Sequence, residues 1–355
     1  MTRKPQGTEL RRGWTTGACA TAATKAALTA LLTGHFPDPV AIRLPKGEEP
    51  AFPLALERLG HGEASAGIVK DAGDDPDVTH GATVIATVRL GGSGVSFHAG
   101  NGVGTVTKNG LPVPPGEAAV NPVPRRMMRE VVEALCAKHH LAPNVAITLS
   151  VPGGDGLAQR TWNPRLGIVG GLSILGTTGV VHPYSCAAWI HSIHRGVDVA
   201  RAEGLEHIVA STGSTSEAAA AALHDLPATA FIDMGDFAGG LLKYLRAHAV
   251  PRLTIAGGFA KLLKLSQGAL DLHSGRSQVD LDALADLAAA HGAGAAADAI
   301  RSGNTAGEAL ALTDVPLGQL VAENAARTAR ETLRGAPVDV HTLVVDRAGA
   351  VIGRG

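Results

Sequence analysis

From about Leu205 onward the chain repeats one pattern: a short apolar run, a turn of glycine, serine or aspartate, then an alanine- and leucine-rich amphipathic segment. The runs are His207 to Ala210, Ala228 to Ile232, Arg252 to Ala256 and Val340 to Val345, and all but the last lead directly into a helical pattern. Such alternation argues for a parallel sheet with helices on both faces, and so for a Rossmann-like C-terminal domain. In that architecture ligands sit outside the carboxyl ends of the strands, which makes the turns the places to search.

The first part reads differently. Strand-like runs occur at Val40 to Leu44, Ala66 to Val69, Thr83 to Leu90 and Val145 to Ser150, interrupted by helices from Thr16 to Leu32 and from Pro124 to His139, the latter opened by proline. This predicts a separate α+β domain over residues 1–150 and the Rossmann-like domain over 151–355, divided near Val151-Pro152-Gly153-Gly154. A length of 355 residues suits two domains. The longest apolar stretch, Leu166 to Val181, is broken by five glycines and falls short of the ~20 residues of a membrane span, so it reads as buried strand and turn. The N-terminus stays polar to Arg12 and lacks a secretory apolar region, which predicts a soluble, cytoplasmic protein.

With 31 basic and 32 acidic side chains, no global field draws the chain to nucleic acid or to anionic lipid, so any anionic ligand must be held locally. Aromatic residues at 3% are too sparse for base-stacking platforms. Cys19, Cys136 and Cys186 have no metal-binding spacing, and His191 with His194, or His139 with His140, read as surface or packing residues; no protein-held metal is expected.

Several stretches could carry chemistry. Thr15-Thr16-Gly17 precedes an alanine-rich helix, where bare N–H groups can receive a carboxylate, although a capped core helix accounts for it as well. Lys70 to His80 packs four acids into seven positions; a calcium loop is excluded by Pro76 and Ala82, leaving a solvated turn or a proton acceptor raised by like charge among Asp71, Asp74 and Asp75, beside His80. Gly100 to Thr107 fits no dinucleotide fingerprint, and its glycines suggest close approach of bare backbone to a large ligand. Gly171 to Thr178 resembles a phosphate loop with Thr177 where lysine is required, which excludes a nucleotide triphosphatase. In the second domain, Ser211 to Ser216 lies between strand and helix, and Asp233 ends the next run in Asp233-Met234-Gly235-Asp236, suited to ribose hydroxyls. Gly257-Gly258 ends the third run, with Lys261 one turn later.

Taken together, T-T-G-A-C-A-T-A-A at Thr15 to Ala23, K-D-A-G-D-D-P-D-V-T at Lys70 to Thr79, G-x-G-x-G-T at Gly100 to Thr105, N-P-V-P-R at Asn121 to Arg125, the block from Thr161 to Gly179 and S-T-G-S-T-S-E at Ser211 to Glu217 resemble the CbiD-type cobalt-precorrin-5B C1-methyltransferases. The resemblance implies methyl transfer from S-adenosylmethionine to a ring carbon of a corrinoid in cobalamin biosynthesis, with cobalt present only as part of the substrate. It implies a small-molecule corrinoid as partner, and leaves the oligomeric state open, a homo-oligomer included. Donor contacts are then expected from Thr212, Gly213, Ser214 and Ser216, from Asp233, Gly235 and Asp236, and from Gly257 and Gly258. Catalysis is expected from Asp71, Asp74, Asp75 and His80. The substrate, edged with carboxylates, is expected against Thr15, Thr16 and Gly17; Lys70; Gly102, Gly104, Thr105 and Lys108; Asn121 and Arg125; Asn163 and Arg165; and Thr177 and Thr178. A nicotinamide-dependent reductase fits the turn-and-acid pattern about as well, and a non-catalytic corrinoid carrier, which would bind the tetrapyrrole and no nucleotide, is the third class.

Overall fold

The computed structural model describes residues 10–355, so the polar stretch before Leu10 lies outside the described residues. The chain is a mixed α/β protein that divides into two compact units at Cys186/Ala187.

In the first unit the chain runs β1 (Gly13–Trp14), α1 (Thr16–Thr33), β2 (Val40–Ala41), β3 (Ala51–Phe52), β4 (Leu56–Leu59), β5 (Glu63–Val69), β6 (Thr83–Leu90), β7 (Val95–Ala99), β8 (Gly102–Val103) and β9 (Thr105–Val106). It continues through α2 (Pro122–Lys138), β10 (Val145–Ser150), α3 (Gly154–Ala158), β11 (Ile168–Val169), β12 (Gly171–Leu172) and β13 (Val180–Val181). The main sheet has the order β4-β5-β6-β10-β7, antiparallel except for the parallel pair β10–β7.

Helix α1 is the core of this unit. Thr15 caps it by accepting from Ala18 N at 3.2 Å, and Gly34 ends it in the left-handed region with its N–H donating to Ala30 O at 2.7 Å. Nearly every side chain from Thr16 to Leu28 is buried. Small residues permit that burial: Gly17 lies so close to α2 that a Cβ there would meet Pro124 Cγ at 2.6 Å. The buried Thr21 and Thr24 hydroxyls donate back to Gly17 O and Ala20 O, so they cost no unpaired polar group.

The expected boundary near Val151 is corrected to Cys186/Ala187. The sequence pattern assigns residues 151–186 to the second domain, yet β11 pairs with β9, β12 with β8 and β13 with β1, which ties the segment into the first unit. The glycine-rich stretch is therefore strand and turn, with backbone pairing drawn from strands far earlier in the chain.

The second unit contains α4 (Cys186–Ala202), β14 (His207–Ser211), α5 (Ser214–Leu223), β15 (Phe231–Asp233), α6 (Ala238–Leu245), β16 (Arg252–Gly258) and α7 (Phe259–Ser266). After these come α8 (Leu281–Ala290), α9 (Gly294–Arg301), α10 (Ala306–Ala309), α11 (Leu317–Leu333), β17 (Asp339–Val345) and β18 (Val351–Arg354). The sheet order is β15-β14-β16-β17-β18, parallel apart from the last strand. Because β15 lies on one side of β14 and β16 on the other, the strand order reverses at the β14–β16 pair, and a crevice opens at their carboxyl ends. Among the described residues no helix is long and apolar enough to cross a membrane.

Candidate active site

At that reversal the second unit has a cleft of about 1140 Å³. Its walls are Thr212 to Ser216 after β14, Gly258 to Lys261 after β16, the Thr305–Leu310 segment around α10, and Val345 to Ala348 after β17. Helices α5 and α7 both begin here, so two positive helix ends face the opening. Gly213 and Gly258 are bare towards it: a Cβ built at either would meet nothing within 4 Å. Both have extended backbones that any residue adopts, with φ 168° and −65°. Glycine at these two positions is not required by turn geometry, and leaves ligand space unfilled.

Four other residues expected at the donor site do not line the cleft. Gly257 is a packing glycine, since a Cβ there would meet Leu262 Cδ2 at 1.8 Å. Gly235, at φ +55°, turns the chain beside the Trp189 ring. Asp233 ends β15, on the side of β14 away from β16, and its Oδ1 accepts from Gly235 N at 3.2 Å. Asp236 is buried and ion-paired with Lys261, whose Nζ also donates to Leu272 O at 3.1 Å. The acids that do line the cleft are Glu308, which accepts from Asn304 N at 3.0 Å, and Asp346, which accepts from Ala348 N and Ala350 N at 2.9 and 2.8 Å. Arg347 lines it as well. Sequence reasoning missed these because α10 and the β17–β18 turn reach the cleft only through tertiary folding.

In the first unit, most residues expected to grip substrate are internal fastenings. The start of α1 is satisfied by protein: Gly17 N donates to Leu175 O at 2.9 Å, and the Thr16 hydroxyl pairs with Leu175 O and N. Gly102 and Gly104 face backbone, with would-be Cβ atoms 1.9 Å from Val151 O and 2.5 Å from Ile168 Cγ2, so close strand packing explains them. Thr105 lies in β9, and the Lys108 side chain lies on Gly167. Asn163 is buried, donating to Gly171 O at 3.1 Å and accepting from Ser173 Oγ at 3.3 Å. Arg125 is spent: Nε donates to Val120 O at 2.7 Å, Nη2 to Ala118 O at 3.0 Å, and Nη1 to Glu117 at 2.5 Å. Asn121 precedes α2 without a side-chain cap, Arg165 lies over the Trp162 ring at 6.0 Å, Thr177 is exposed, and Thr178 Oγ1 donates to Val180 O at 3.1 Å.

The acidic loop is a knot of backbone fastenings. Asp71 pairs with Arg11 and accepts from Gly73 N at 2.9 Å; these partners, the Arg11 bond foremost, hold its carboxyl below the usual range. Asp74 accepts from Arg11 N at 2.6 Å, Asp75 from Tyr184 N at 2.8 Å, and His80 Nδ1 from Ala72 N at 3.1 Å. Lys70 is fully buried and donates to Asp77 at 2.7 Å. Burial pushes the Asp77 carboxyl up, but Lys70 and the Thr79 hydroxyl and N–H outweigh it and the carboxyl ends lower. The Asp75 carboxyl is raised, and burial is the first cause, ahead of charge from Asp77. Lys70 is thus the internal counter-ion of the loop.

The fold and cleft define a mixed α/β protein whose second unit has a cleft of small-ligand size at the carboxyl ends of a parallel sheet. Residues 3–183 match the family model CbiD, and residues 271–355 match CbiD, C-terminal domain. The chain belongs to the CbiD family. It is 64% identical over 358 residues to a Brucella abortus protein named cobalt-precorrin-5B C(1)-methyltransferase, covering 99% of this chain and 97% of that one. A protein of the same name from Brucella anthropi is 66% identical over 352 residues, with 98% and 96% covered. A crystal structure titled cobalamin biosynthesis protein (cbiD), from Archaeoglobus fulgidus, is 27% identical, covers 76% of this chain and 84% of its own, and aligns with a TM-score of 0.42.

Proposed function

We propose that this protein is an enzyme of cobalamin biosynthesis that methylates C1 of cobalt-precorrin-5B, with S-adenosylmethionine as donor bound by a Rossmann-like second unit and the corrinoid bound by the first. The observation that carries the reaction is the likeness of nearly the whole chain to proteins of that name. The cleft supports the choice of donor. Two bare glycines leave room for an extended ligand, two helix N-termini and Arg347 suit a carboxylate, and Glu308, one of the two acids in the lining, suits the ribose hydroxyls as an acceptor.

S-adenosylmethionine supplies a sulfonium methyl; the C1–CH3 bond forms as the S–CH3 bond breaks, and sulfur leaves with the electron pair as a neutral thioether. No metal of the protein's own is required, and cobalt enters with the substrate. The residues around each ligand therefore contribute alignment and exclusion of water. Asp75, the raised carboxyl of the acidic loop, is the group we assign to accept a proton if the ring releases one; Asp71, Asp74 and His80 position its loop. Incubation of the purified chain with cobalt-precorrin-5B and methyl-labelled S-adenosylmethionine tests the reaction, with label at C1 expected and an unlabelled corrinoid counting against it.

A further inference from the structure

A second recess, of about 450 Å³, lies on the first unit, and none of the residues that the sequence singled out for substrate lines it. It is walled by the turn between β2 and β3, from Arg43 to Gly47, and by Arg126, Met127 and Glu130 at the start of α2. The turn is built to a fixed shape: Leu44 N donates to Glu48 O at 2.8 Å, Gly47 N to Leu44 O at 2.9 Å, and Gly47 supplies the positive φ of +94°. Lys25 of α1 pins it by donating to Ala41 O at 2.6 Å. Leu44, buried in the recess wall, packs against Gly179, so the recess adjoins the loop that carries the exposed Thr177.

Three cations stand around it. Arg43 and Lys46 are exposed and make no ion pair among the described residues, and Arg126 is exposed with Glu130 3.8 Å away, beyond hydrogen-bond reach. Glu130 is the one acid in the lining. Arg126 contrasts with its neighbour. Arg125 has spent its guanidinium on Val120 O, Ala118 O and Glu117, whereas Arg126, one residue on around the helix, keeps its fork towards solvent. Pro45 is the exposed apolar side chain of the lining, with Leu44 and Met127 buried beneath it. Three exposed cations set around one recess match a ligand whose edge bears several carboxylates.

We propose that Arg43, Lys46 and Arg126 form the anchor for the acetate and propionate side chains of the tetrapyrrole substrate. The proposal rests on the corrinoid reading above and adds the carboxylate-binding residues that reading lacked. Inorganic phosphate or a nucleotide could offer the same charge, so the assay separates them by esterifying the ligand.

The test uses the full chain and two probes: a cobalt corrin with free acetate and propionate side chains, and the same corrin with those side chains methyl-esterified. Arg43→Gln, Lys46→Gln and Arg126→Gln are made singly and together, and binding is followed by corrin absorbance at low and high salt. The expected result is a loss of about fivefold per cation, roughly a hundredfold for the triple variant, confined to the free acid. Added salt should erase most of the difference. Affinity for S-adenosylmethionine and the melting temperature stay at the wild-type values. Free-acid binding by the triple variant within about threefold of wild type overturns the proposal, as does equal weakening of free acid and ester. In either case wild-type binding and methyl transfer leave the corrinoid reading intact, whereas a wild-type chain that neither binds the free acid nor methylates loses both.

Discussion

Replacing Gly258 by alanine should separate ligand binding from folding, because its surroundings differ sharply from those of Gly257. At Gly258 the backbone, φ −65° and ψ 153°, suits any residue, and a Cβ meets nothing within 4 Å. The folded state gains no clash, while the unfolded chain loses freedom, so stability should stay level or rise by about 0.4–1 kcal/mol. The new methyl stands in the cleft in front of the α7 N-terminus, where it holds the donor off the backbone. Loss of one charge-assisted hydrogen bond of about 1.5–3 kcal/mol corresponds to roughly ten- to hundredfold weaker binding. Gly258→Leu should abolish measurable binding. Gly257→Ala is the control: its Cβ would lie 1.8 Å from Leu262 Cδ2 in the core, an overpacking that costs about 1–3 kcal/mol. Calorimetric titration with S-adenosylmethionine and melting curves give both quantities. If Gly258→Ala and Gly258→Leu both bind the donor as wild type does, the donor does not occupy this cleft and the reasoning fails.

Arg125→Ala should destabilise the first unit by about 2–3 kcal/mol, since it leaves two backbone carbonyls and Glu117 without their donor, while Arg126→Ala stays within about 0.5 kcal/mol; denaturant melts compare them. Asp77→Ala strands the buried Lys70 charge and should cost about 3–5 kcal/mol, most of which the double variant Lys70→Met/Asp77→Ala should recover; a double variant as unstable as the single would contradict the pairing. His207 is held neutral, its pKa pushed down to about 4 by burial first and then by the charges of His224, Arg252 and His341. A depressed base stabilises the fold above its unfolded pKa near 6.5 and loses that contribution as pH falls towards 4, so His207→Asn should flatten the stability curve in that window relative to wild type.

The elements with strong local signals were readable from sequence. Thr83–Leu90 and Val145–Ser150 are strands with the expected ends, and the helix beginning at Thr16 is capped by Thr15 as its residue type suggests. The Ser211–Ser216 turn does open onto a cleft, because a strand followed at once by a helix leaves its N–H groups there. What was not legible depends on which side chain meets which distant backbone. Arg125 and Arg126 are indistinguishable as letters, and only the carbonyls of Ala118 and Val120 decide which one turns inward. Gly257 and Gly258 differ only through Leu262, and Gly102 through the carbonyl of Val151. The acidic loop invited a catalytic reading because its partners Arg11 and Tyr184 lie far off in the chain, and with Lys70 they hold all four of its acids. Residues 151–186 lack a local signal that their strands pair back with β1, β8 and β9.

The central claim is methyl transfer to a corrinoid, and single-turnover incubation of the wild-type chain with cobalt-precorrin-5B and methyl-labelled S-adenosylmethionine tests it most directly. Mass spectrometry and carbon NMR should find one labelled methyl on C1 and stoichiometric S-adenosylhomocysteine. A corrinoid recovered unlabelled from enzyme that binds both ligands, or labelled at another carbon, would contradict the account.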